Sequence, residues 1–329
     1  MSTLATHAAR PFATGGGRMR DAAWAPWAGL GFLYLVWGAG YPAGEVMIGS
    51  IPPLLGMACR SLLAGVVLLA IAGVRRRRVS SAASRRELGW AVVVGLLLIF
   101  TNGLIILGMR HVTVGVAALI AGSLPLWVVV LQSIGSRRAA AADVTGVALG
   151  FAGLALVVAP SGTAGGVQLG SVALIIAAAA LQAAGTLTAQ RVALPADSCT
   201  TLGIGMLASA VSLAAIGLAG GEGAELASRR PDLAAVLSLL FLAGPAALGG
   251  YLTFLWLVDR MPATTVSTYS YVNPLVAVFL AWALLSEPVS TATLLGGALI
   301  LAAVGLLLAR TARPARARQA WEPPHSTQS

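Results

Sequence analysis

The fold this sequence predicts is an all-α integral membrane protein, with ten transmembrane helices forming two inverted five-helix repeats around a central cavity. Three observations predict it. Hydrophobic residues make up 58% of the 329 positions and charged residues only 10%, where soluble domains average roughly 25% charged. Apolar runs of about twenty residues recur along the chain, the length a helix needs to cross ~30 Å of hydrocarbon. The arginines fall between those runs, mostly in alternate loops.

Taken in order, the runs place spans at 28–48, 54–74, 88–108, 112–134 and 144–160. The second half follows at 169–188, 198–219, 234–257, 264–286 and 291–309. Loop signals bound them: GSIPP after the first, RRRR at 75–78 after the second, and SRR at 136–138 after the fourth. Hardly any loop separates the third and fourth. Residues 28–160 form the first repeat, 161–168 an outer linker and 169–309 the second repeat. The tails, 1–27 and 310–329, carry no packing pattern and are expected to be disordered cytoplasmic extensions. The N-terminal basic lead resembles a signal peptide, but its length and the twenty-residue run behind it favour an uncleaved first helix.

The formal net charge is +10, and every basic residue is arginine. Seventeen arginines lie on one side of the predicted membrane. Only Arg110, Arg229 and Arg230 lie on the other, and Arg60 alone falls inside a span. Retention of arginine on the cytoplasmic side puts both termini there and removes nucleic acid as a partner, leaving the lipid bilayer. Cys59 and Cys199 fall near opposite faces, so no disulfide is expected. The histidines, at 7, 111 and 325, assemble no metal site or catalytic set, and no cofactor is implied.

The repeat shows in matched positions. Pro125 in AGSLPLWVVVL and Pro274 in SYVNPLVAVFL occupy the fourth span of each half, and each is followed by a small-residue helix, VTGVALGFAGLALVVA and LLGGALILAAVGLLLA. Gly146 stands opposite Gly297. Five spans per half is an odd number, so the second half enters the membrane from the opposite side.

These features together resemble the drug/metabolite transporter superfamily, in particular its EamA-type members. The likeness rests on LVWGAGYPAGEV (35–46), PPLLGMACRSLLAG (52–65), HVTVGVAALIAGSLPLW (111–127), MPATTVSTYSYVNPLVAVFLAWALLSEP (261–288) and LLGGALILAAVG (294–305), in that order. The resemblance implies two EamA repeats around a central cavity in the inner or plasma membrane. It also implies alternating access that moves a small metabolite or drug, usually outward, without choosing the solute. Relatives often carry lysine where this chain has Glu45, so a lysine-based role is not carried over.

Rival functions lack support in the residues. No GxxxxGK[ST] loop cradles a phosphate, so the chain has no ATPase motor of its own. A permease energised by a separate ATPase would need a coupling helix that the short loops do not offer. A structural or sensor protein would not require an inverted repeat. An enzyme is not expected, and a homodimer is compatible with all of this.

Candidate cavity-lining residues follow from chemistry at membrane depth. Glu45 and Arg60 lie at similar depth on helices joined by a short loop, so an ion pair or shared hydrogen-bond network is expected; intramembrane charges mark function by default. Glu45 would then either clamp Arg60 or exchange protons during transport. Trp37 and Tyr41, one turn apart, would form an aromatic wall, with Pro42 bending the helix and Gly40 and Gly44 giving a packing face. Asn102, Ser123, Gln182 and Tyr251 add polar groups in the third, fourth, sixth and eighth spans. In the ninth, Tyr269, Tyr271 and Asn273 precede Pro274, whose ring frees a backbone carbonyl; Pro125 is a further bend. Glu287 reads as a loop carboxylate or a gate. A small-molecule substrate is the expected partner.

Overall fold

The computed structural model describes residues 24–76, 83–135, 141–158 and 168–319, and its regular structure is entirely helical among them. The N-terminal tail to residue 23 and residues 161–167 of the predicted linker lie outside the described residues.

The first predicted span is two helices, α1 (Ala25–Gly38) and α2 (Gly40–Ile48), interrupted at Ala39. Pro42 explains the break, because a proline ring lacks an N–H and collides with the carbonyl four residues back, here that of Gly38. α3 (Pro53–Arg76) opens on proline, which suits the first position of a helix. The third span consists of α4 (Arg85–Gly95), a π-helical segment Leu96–Phe100 and α5 (Thr101–Gly108). Ser84 and Glu87 start it with a reciprocal capping box. α6 (Val114–Ala121) and α7 (Leu124–Gly135) part at Gly122 and Ser123, and Pro125 restarts the helix. α8 (Ala141–Val158) completes the first half.

The second half begins with α9 (Leu169–Ala189) and α10 (Ser198–Ala219), followed by a short α11 (Glu222–Ser228) that the sequence pattern did not predict. Next come α12 (Leu233–Phe241), a second π-helical segment Leu242–Gly249 containing Pro245, and α13 (Gly250–Val258). Then follow α14 (Ala263–Val266), α15 (Tyr269–Leu285) and α16 (Thr291–Gln319). α16 runs past residue 309, where the sequence reading began an unstructured tail; its alanines and arginines are good helix formers.

Among the described residues, six segments are long and apolar enough to cross a bilayer: Pro53–Val74, Arg85–Gly108, Val114–Ile134, Leu169–Ala189, Ser198–Ala219 and Leu233–Val258. Thr145–Val158, Val272–Leu285 and Thr291–Leu306 are shorter apolar helices. Leu62, Val66, Phe279, Trp282 and Leu284 point outward, as a surface solvated by lipid tails permits.

Corresponding elements of the two halves pack on each other: α3 on α10, α8 on α16 and α6 on α15. Each π-helical segment meets the first and second helices of the other half, Leu96–Phe100 against α9 and α10, Leu242–Gly249 against α1 and α3. In lipid, close van der Waals approach replaces the hydrophobic effect between helices, which favours small residues at crossings. Gly153 and Gly296 show this, since a Cβ on either would lie within 2.7 Å of the other's carbonyl oxygen.

Candidate functional site

Arg60 lies two turns into α3 and is only 7% exposed. α3 turns this face toward Leu242–Gly249. The guanidinium Nε donates to the Leu242 carbonyl at 3.2 Å, and the side chain lies beside Tyr251. Its Nη1 is buried without a partner. One turn further along the same segment, the Ala246 carbonyl accepts a bond from Trp37 Nε1 at 3.0 Å. Two side chains of the other half thus bond backbone carbonyls of this π-helical segment.

Trp37 is the hub of an aromatic cluster. Its ring lies 4.9 Å from Tyr269, 5.5 Å from Tyr251 and 5.8 Å from Phe254, centroid to centroid. Gly250 permits this approach, because a Cβ there would sit 2.2 Å from Trp37 Nε1. The adjoining Gly38 packs on Val276 and the Asn273 carbonyl, and the Asn273 Oδ1 is buried without a partner. The Tyr34 hydroxyl bonds Thr268 Oγ1, which bonds the Thr265 carbonyl and so fixes the break between α14 and α15. Pro274 is seated on Gly122, at the break between α6 and α7. The side chain of Tyr271 lies outside the described residues. Tyr41, beyond the Ala39 break, packs on a different apolar cluster from Trp37. Gly44 seats against Ile106, while Gly40 has only distant neighbours.

Two of the other predicted polar residues, Asn102 and Gln182, meet beside the first π-helical segment. Asn102 Nδ2 donates to the Leu98 carbonyl and its Oδ1 accepts from Gln182 Nε2, each at 3.2 Å. Thr101 Oγ1 donates to Leu97 and Leu98. Ser123 is fully buried, and its Oγ donates to Ile120 at 2.6 Å, closing the break in its own span.

Glu45 and Arg60 do not pair; among the described residues each faces a different part of the bundle. The break at Ala39 sets α2 apart from α1, and Glu45 lines a cleft of about 380 Å³ with Met109, Arg110, His111, Val112, Thr113, Gln168 and Glu287. Its Oε2 has no hydrogen-bond partner. Among the described residues this cleft lies at one end of the bundle, while aromatic rings fill the region between α1, α13 and α15.

This carboxylate-rich end holds two further acidic groups with defined partners. Glu287, read from sequence as a loop carboxylate or gate, accepts from the amides of Val114 at 2.9 Å and Gly115 at 3.3 Å. Glu222, which the sequence reading did not single out, is 6% exposed and accepts from Leu54 at 3.2 Å and Leu55 at 2.8 Å. Arg110 approaches Glu222 at 3.9 Å and pairs with Glu225 at 2.8 Å. A run of helix-weak residues, GGEG, was the only signal for Glu222, and it marks a turn without naming its contact.

Comparison with known proteins agrees with this architecture. The profile of the EamA-like transporter family matches residues 26–159 and again 169–309. The uncharacterized inner membrane transporter YedA of Escherichia coli (strain K12) is 27% identical over 291 residues, 86% of this chain and 91% of YedA. The uncharacterized transporter YvbV of Bacillus subtilis (strain 168) is 26% identical over 287 residues, 84% of this chain and 90% of YvbV. A solved crystal structure superposes with a TM-score of 0.59 at 22% identity, covering 87% of this chain and 98% of that one, a likeness of fold alone.

Proposed function

The chain belongs to the EamA-like transporter family, and on that premise we propose that it is a secondary transporter exporting a small solute with one anionic group across the inner membrane. The two repeats work by alternating access, coupled to a proton or solute gradient. In this reading the chain crosses the membrane ten times, through the six long apolar segments, the three shorter apolar helices and the broken pair α1 and α2. Both termini face the cytoplasm in this reading, which the arginine distribution supports.

One observation carries the substrate class. Arg60 is a buried guanidinium with an unpartnered Nη1, set beside Tyr251, whose ring in turn meets Trp37. A guanidinium at membrane depth is retained for a carboxylate-like or phosphate-like acceptor, which it binds with charge-assisted, directional bonds. The neighbouring rings suit an apolar or flat body on the same solute.

The test is uptake into everted vesicles of a panel of monoanionic, cationic and neutral metabolites, for wild type and Arg60→Gln. A monoanion should accumulate with wild type and at least tenfold less with the variant. Transport confined to cations or neutral solutes would remove the anion assignment, and no transport of any solute would remove the transporter reading itself. Glu45, with a carboxylate oxygen free of bonds in the cleft, is the assigned proton carrier. Proton flux driven by the solute should be lost in Glu45→Gln, and unchanged coupling would release it from that role.

A further inference from the structure

The geometry points to a latch in which Glu222 and Glu287 of the second repeat cap α3 and α6 of the first, and whose release opens the carboxylate-rich end. This rests on the transporter reading and adds to it the parts that hold one end shut.

The first four amides of any helix need acceptors from outside the helix. Four helices here find a side-chain acceptor locally. Ser84 caps α4, Asp197 caps α10, Asp232 caps α12, and Ser290 accepts from Thr293 at the start of α16. α3 and α6 differ. Thr113 stands at the cap position of α6, yet its side chain makes no capping bond, and the amides of Val114 and Gly115 go to Glu287 instead. The amides of Leu54 and Leu55 in α3 go to Glu222. In both cases the acceptor is an acidic side chain from the other half, more than 160 residues away in sequence, placed at the positive end of the helix dipole.

The backbone before each carboxylate is built for this contact. Among the described residues only two hold a left-handed φ, Gly221 at 87° and Ser286 at 56°. They immediately precede Glu222 and Glu287. Ser286 carries a Cβ, for which this region is uncommon, so its turn is held by its surroundings. Both turns reverse the chain at the end of a helix and return the next side chain to the first repeat.

Two more contacts tie the same end. Arg110 of the first half pairs with Glu225 of the second, and the Asp232 amide donates to Ser50 Oγ at 3.1 Å. Every one of these bonds crosses between repeats, so rigid rocking of one repeat against the other breaks all of them together and uncaps two helices.

The test reads conformation without any solute. Spin labels at Gly49 in the first repeat and Arg230 in the second, both exposed, report their distance by double electron–electron resonance in nanodiscs. The wild-type full chain should show mainly the short distance. Glu222→Gln with Glu287→Gln should raise a second, longer population about fivefold for each clasp weakened, the scale of one helix cap. A within-repeat pair at Gly49 and His111 should not move. An unchanged cross-repeat distribution would overturn the latch, as would a wild type already dominated by the long distance or equal widening of the within-repeat pair, which would mean fraying. Should the double variant not fold, Arg110→Gln removes its ion pairs with Glu225 and Glu222 while leaving both carboxylate caps in place, and it must give a smaller shift of the same sign. Failure here leaves solute uptake untouched, and failed uptake leaves these distances untouched, so the two readings fall separately.

Discussion

The two π-helical segments occupy the same place in each half and face the same helices of the other half, yet they satisfy themselves in opposite ways. In Leu96–Phe100 the spare carbonyls of Leu97 and Leu98 are taken by Thr101 and Asn102 of the same span. In Leu242–Gly249 the carbonyls of Leu242 and Ala246 are taken by Arg60 and Trp37, which belong to the other repeat. The surfaces against them differ to match. α10 meets α4 backbone to backbone, Gly205 on Gly95, whereas α3 brings a guanidinium. One crossing is closed and self-sufficient; the other keeps a charged donor with an unused arm. Among the described residues, two corresponding crossings of the repeats thus differ in that one of them holds a buried guanidinium with an unpartnered nitrogen.

The comparison breaks most visibly at the closed crossing. A Cβ at Gly95 would lie 2.1 Å from the Gly205 Cα, with backbone on both sides and nothing flexible to yield. Gly95→Leu should therefore cost more than the ~1–3 kcal/mol of ordinary overpacking. Folded yield by size-exclusion chromatography should collapse, and normal yield with an unshifted melting temperature would contradict the close contact. At the open crossing Arg60→Gln should act on transport instead, lowering uptake at least tenfold. Its melting temperature should hold or rise, because an incompletely paired buried charge is removed; a large loss of stability would make Arg60 a structural clamp.

Smaller effects sharpen the same contrast. Trp37→Phe keeps the ring cluster but deletes the bond to Ala246, and about 1 kcal/mol of stability should go with it. Chemical denaturation of the purified protein measures this, and the same loss in a Gly250→Ala background would show that the bond was already unimportant. Gln182→Leu removes the interhelical bond to Asn102 and should cost the least, ~0.6 kcal/mol, with solute uptake unchanged. An uptake defect there would mean that the closed crossing also touches solute.

Hydrophobic length made the spans legible, because a helix in lipid must satisfy its backbone within one continuous run. The break at Ala39 follows from Pro42 in the same way, as a local steric fact. The π-helical segments were not legible, since a widened turn leaves apolar composition unchanged and only Pro245 hints at one of them. Equal depth suggested that Glu45 and Arg60 should meet. Depth does not fix rotation about the helix axis, and the Ala39 break with the face of α3 decided it otherwise. Glu222 escaped notice because a loop carboxylate announces a cap only when its helix lies next to it in sequence, and α3 lies far upstream. Ring size singled out Trp37 and polarity singled out Tyr251, but their meeting at one cluster depended on how the two halves dock.

Supplying helix caps from the opposite repeat has a consequence for how the chain is made. A ribosome delivers the first half before the second, so α3 and α6 enter the membrane while Glu222 and Glu287 are still untranslated. Until then the amides of Leu54, Leu55, Val114 and Gly115 have only interfacial water or headgroups as acceptors. The first half, synthesised alone, is held in a provisional state, and completion of the loop at residue 287 is the event that commits it.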